Sequence, residues 1–246
     1  MLKVSLMRRL VCVFAITIAL GAAKTASADP ILPGFDLFHT PPGSFANIPN
    51  IGLVFFMGGQ PVILGTNTDT IIERLEGIDP FPVGGMGTIP IILRDLSLQS
   101  IAPVNIGGNF FDVFVTDLPD QELGTMTVFH NTAAGGIFNS TLPIAALLTF
   151  VPVGGGMSFS MNFTATLHST CVWSHTPPPG YPMPPEFPSG GFFPLAQLCV
   201  EMSDSGDEAH IVTSAEVPEP ATLLLLASGL AGLAGIGRKT KSRKNI

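Results

Sequence analysis

The chain has 246 residues, with eleven Lys and Arg against eighteen Asp and Glu, and Gly (27) and Pro (23) make up a fifth of it. Charge is unevenly placed: between positions 29 and 220 only Arg74 and Arg94 oppose all eighteen acids, a formal −16 with no lysine. A stretch so anionic repels phosphate backbones and anionic lipid, which excludes nucleic acid as a partner, and its Gly and Pro content disfavours long helices.

Residues 1–28 have the three parts of a secretory signal peptide: a basic start (Lys3, Arg8, Arg9), an apolar run from Leu10 to Ala23, and Ala26-Ser27-Ala28, which signal peptidase accepts. The fourteen-residue run spans only about 21 Å as helix, short of a bilayer core. The mature chain therefore starts near Asp29. Residues 29–48 hold four prolines and read as an extended leader.

The region 49–202 reads as the body. Its clearest strand is Met157–His168, where Met157, Phe159, Met161, Phe163, Ala165 and Leu167 alternate with polar residues. Other strand candidates are 52–57, 61–64, 88–94, 95–101, 110–116, 125–129, 144–151 and 195–202, with Gly-Gly pairs or Asp-Leu-Pro-Asp between several of them. Only Asp69–Gly77 has helical spacing, with Thr70 as a cap. Short strands without alternating helices predict an all-β fold, an antiparallel β-sandwich of jelly-roll or immunoglobulin-like outline.

Cys12 leaves with the signal peptide, so Cys171 and Cys199 remain as an even pair in an exported chain and read as a disulfide. His168 and His175 lie near Cys171, but a nucleophilic thiolate or a metal set fits an oxidising compartment less well than a bond to the partner cysteine. The loop 172–198 is rich in proline and carries the chain's single Trp (Trp173) and single Tyr (Tyr181). Flat aromatic faces bind sugars, so Trp173 and Tyr181 are candidates for glycan contact; the competing reading is a stapled loop with Trp173 packed in the core. His39, His130, His168, His175 and His210 form no zinc-protease pattern, and neither a nucleophile elbow nor a phosphate loop is present. No catalytic residue, cofactor or metal site is expected. Residues 203–216 read as a polar spacer.

The C-terminus runs Val217-Pro218-Glu219-Pro220-Ala221-Thr222, then an apolar stretch, then Arg238, Lys239, Lys241, Arg243 and Lys244. The prolines keep the backbone extended, and residues 221–237 make a thin helix of about 25 Å. The cations behind it hold residues 238–244 in the cytoplasm and leave the body outside. Residues 217–246 resemble the PEP-CTERM sorting signal, with Pro218, Glu219 and Pro220 carrying the motif. That resemblance implies processing by an exosortase, transient residence in the inner membrane of a Gram-negative bacterium, and a host that makes exopolysaccharide. The sequence thus predicts an exported, non-enzymatic protein of the cell surface or extracellular matrix. The alternative is an extracellular glycan-binding module using loop 172–198.

Overall fold

A computed structural model of the protein describes residues 29–59, 68–79, 81–195 and 199–214. The signal peptide, the strand candidate at 61–64 and the whole of 217–246 lie outside the described residues.

Every described element is a strand, and all strand pairs are antiparallel. The fold is an all-β antiparallel sandwich whose hydrogen-bonded path returns to its start. It can be followed from β5 (Met86–Ser100) through β4 (Thr70–Arg74), β1 (Gly34–His39), β13 (Glu208–Ser214), β12 (Cys199–Ser203), β10 (Phe159–Ser174), β9 (Gly135–Pro152) and β8 (Gly124–Thr132) back to β5. β2 (Ser44–Ile48) and β3 (Gly52–Gly58) extend the β1/β4 layer, linking β13 to β5. Likewise β7 (Asn109–Asp117) joins β5 to β9 beside β8 and carries the short β6 (Val104–Ile106). β11 (Phe193–Pro194) adds to the end of β10. Between β7 and β8, Gln121 stands in for a strand residue: its amide donates to Leu118 and Ala145 carbonyls and accepts from Ala145 N. Closing the path leaves few long unpaired edges.

The alternation at 157–168 continues in β10 to Ser174, with Leu167, Ser169, Cys171 and Trp173 turned inward. β9 alternates as cleanly, burying every even position from Phe138 to Phe150. The candidates 88–94 and 95–101 are one strand, β5. Its inward set runs Ile89, Ile91, Leu93 and then Leu96, Leu98. A bulge opposite Ile71/Ile72 inserts one residue at Arg94–Asp95 and shifts the phase, which is why the sequence reads as two strands.

Three sequence expectations are corrected. Residues 29–48 are not a leader: Ile31 is fully buried, β1 and β2 lie inside the sheet, and Pro33, Pro41 and Pro42 fall outside the strands. Residues 69–77 are not helical, since β4 runs between β1 and β5 and buries Ile71 and Ile72. Nor is 203–216 a free spacer. Ser203 to Asp207 make a hairpin turn in which Ser203 Oγ accepts from Glu208 N (3.1 Å), and β13 then pairs with β12 on one side and with β1 and β2 on the other.

Cys171 and Cys199 form the expected disulfide, with Cα atoms 5.5 Å apart. It joins β10 to β12 across the Pro-rich loop, and the chain-entropy argument gives it roughly 3–4 kcal/mol.

Candidate functional site

The Pro-rich segment after β10 lies against the outer edge of β1 as a strap. Its prolines lack N–H groups, yet the strap serves β1 as an acceptor. Phe35 N donates to Pro188 O (2.9 Å), Leu32 N to Gly190 O (2.8 Å) and Leu37 N to Tyr181 Oη (3.1 Å). Contact is so close that a Cβ on Gly34 would sit 2.5 Å from Pro188 O. Phe187 packs edge-on against Phe35, and Tyr181 against Phe193. An edge that would otherwise present bare donors is thereby covered.

That arrangement overturns the assignment of Trp173 and Tyr181 as sugar contacts. Trp173 is 1% exposed and Tyr181 8%. Phe192 stacks on the indole at 5.1 Å, and Nε1 donates to Phe129 O (3.2 Å). Stacking a sugar needs a free ring face, and neither ring offers one. The Tyr181 hydroxyl is pushed well above its usual pKa, by burial first and by Asp36 second.

Two buried polar clusters flank β1. In the first, Arg74 and Asp36 are both fully buried. Arg74 Nε donates to both Asp36 oxygens (3.2 Å each), Nη1 to Leu32 O (2.8 Å) and Nη2 to Ser189 O, so one guanidinium ties β4, β1 and the strap together. The Phe192 ring lies 4.7 Å beneath its central carbon. Burial pushes the Asp36 carboxyl up to about 6, and Arg74 offsets only part of this.

The second cluster joins β1, β4, β12 and β13. Asp69 accepts from Thr40 N (2.8 Å) and His39 Nδ1 (2.9 Å) on one oxygen and from the hydroxyls of Thr40 (2.5 Å) and Thr70 (3.0 Å) on the other. Gly58 clears space for this carboxylate, which a Cβ there would strike. His210 Nε2 lies 3.0 Å from Thr40 Oγ1, and its Nδ1 lies 3.1 Å from Glu201 Oε2. Carboxylate, imidazole and hydroxyl thus stand in the order of a nucleophilic relay. The polarity breaks that relay: Thr40 Oγ1 donates to Asp69 Oδ1, so its proton is turned away from His210 Nε2. Thr40 is also fully buried, Glu201 3% exposed and His210 5%.

Beside His210 lies an apolar cavity of about 60 Å³ walled by Phe56, Leu98, Val115, Ile144, Leu148 and Leu167. Elsewhere, Asp95 is raised to about 6 by partial burial and then by Asp117. His168 meets Asp204 at the surface (3.3 Å), away from any free thiol, because Cys171 is bonded to Cys199. Among the described residues no three His, Cys, Asp or Glu side chains gather as a metal set. Sequence reasoning missed both polar clusters. The one available signal was Arg74, a rare cation inside an otherwise anionic stretch.

Residues 216–239 match the family described as the PEP-CTERM protein-sorting motif. No curated protein and no solved structure matches the chain. The motif marks an exported protein whose precursor is membrane-held and handled by exosortase-type sorting.

Proposed function

We propose that the chain is a non-enzymatic protein of the Gram-negative cell surface or extracellular matrix, its β-sandwich delivered outside by signal peptidase and exosortase and resident among exopolysaccharide. The sorting motif at 216–239 carries this reading. Supporting it are the disulfide, which suits an oxidising compartment, and the sealing of the Glu201–His210–Thr40 cluster away from any substrate. A rigid wall with covered edges and a surplus of negative charge suits a component that must stay soluble within a matrix until it is placed.

Mass spectrometry of the protein recovered from its host tests the reading. The expected mature form begins near Asp29 and ends near Pro218–Thr222. Recovery of peptides covering Arg238–Ile246 in the surface-exposed form would overturn it.

A further inference from the structure

We infer that the unpaired half of β10, residues 159–166, docks a second copy of this chain, the two strands pairing antiparallel about a two-fold axis near Met161. β10 keeps β9 beside it along its whole length, from Phe159 opposite Phe150 to Ser174 opposite Gly135, without a shift in register. On its other side β12 reaches only residues 167–169, and β11 only Trp173 and Ser174. Among the described residues no strand pairs with 159–166 there. Val172 O accepts from Leu195 N on that side, so in a strand without a bulge the even-numbered residues turn their N–H and C=O groups the same way. Ser160, Asn162 and Thr164 therefore present donors and acceptors to the open side, while Met161, Phe163 and Ala165 bond to β9.

The β1 edge is covered by the Pro-rich strap, but this long edge carries none of the usual protections. Residues 157–167 contain no proline, no lysine and no charge. The neighbouring stretch of β9, 142–151, is also uncharged. In a chain with eighteen acids against two cations between positions 29 and 220, that neutrality selects the partner. A basic partner would find no acid to meet along this edge, whereas a second anionic body can come close only where neither copy is charged. Charge returns at the far end, where His168 meets Asp204, which sets the axis toward Ser160 and Asn162. The strand is also complementary to itself. Pairing about Met161 puts Phe159 opposite Phe163 of the second copy on the inner face, and Ser160 opposite Asn162 on the outer. Phe159 is 42% exposed although stacked on Phe150, and Phe163 and Ala165 line the apolar cavity beside His210. The inner face thus has apolar surface still to cover.

Sedimentation of the full chain in detergent, over a concentration series, tests the pairing. The protein mass is expected to double as concentration rises. Thr164→Pro removes an N–H that β9 does not use and is expected to hold the chain at the single-copy mass. Asn162→Lys should do the same by bringing two like charges to the axis. Amide exchange on the unsubstituted chain reads the contact without any variant having to fold. Ser160, Asn162 and Thr164 should gain protection as concentration rises, while Met161, Phe163 and Ala165 stay protected throughout. A single-copy mass at every concentration overturns the proposal. So does a doubled mass that persists in both variants, which would put the contact elsewhere, as in the apolar stretch 221–237. Protection of the even-numbered amides that ignores concentration also overturns it, because the chain's own residues would then be covering the edge.

Discussion

Asp36 and Asp69 are both essentially buried beside β1, and the sheet accommodates them in opposite ways. Asp36 is matched by a full cation, Arg74, whose remaining N–H groups close two backbone carbonyls. Asp69 has no guanidinium partner. Four donors fill its lone pairs instead: one backbone N–H, two hydroxyls and the His39 imidazole. A carboxylate inside a protein can therefore be held by one strong, indivisible partner or by several weaker ones. The first kind fails all at once when the partner is removed, while the second degrades by steps.

The largest effect should come from Arg74→Met, which leaves Asp36 buried and unpaired. Unfolding by urea should show a loss of about 3–5 kcal/mol, and Asp36→Leu added to it should recover much of that loss. His210→Ala should cost less, about 1–3 kcal/mol, by leaving Glu201 without its imidazole while Asp69 keeps its own donors. If His210→Ala proves as damaging as Arg74→Met, the distinction between the two clusters fails. Acid tests the same contrast more gently. Burial raises Asp36 and Asp95 to about 6 in the folded chain, against an ordinary aspartate value of 3.8. Folded groups with raised values take up protons first as pH falls, so their contribution to stability grows from about pH 7 downward and is complete below the unfolded value. The melting temperature should thus be a few degrees higher at pH 5 than at pH 7. Asp95→Asn should reduce that gain slightly, being the smallest of these effects, because Asp95 is only partly buried. A melting temperature that falls between pH 7 and pH 5 would contradict the assignment.

Much of the fold could be read where alternation was long and its phase constant, as in β10, and the cysteine pair followed from compartment and parity. Legibility failed wherever burial depended on a distant partner. Gly34–His39 places a charged Asp36 among apolar residues and looks like exposed chain until Arg74, thirty-eight positions away, is known to meet it. Glu208–Ser214 looks polar for the same reason, because His210 is buried only through Glu201 and Thr40. The bulge in β5 broke its period in two. Trp173 and Tyr181 misled in the other direction: their rarity suggested display, whereas one fills the core and the other caps a strand. The bare edge of β10 was out of reach, since its alternation is plain but only the register shows that β12 stops at Leu167.

The order in which β13 is made has a consequence for biogenesis. This strand bridges β12 to β1 and β2, and its last residue, Ser214, comes just before the stretch matched to the sorting motif. During vectorial export the final stave of the wall thus emerges last, after every neighbour it must join. Until that stretch has been exported, β13 cannot close the seam between β12 and β1, and the nascent body keeps unpaired strand edges exposed. Maturation of the wall and presentation of the processing signal are thereby timed together.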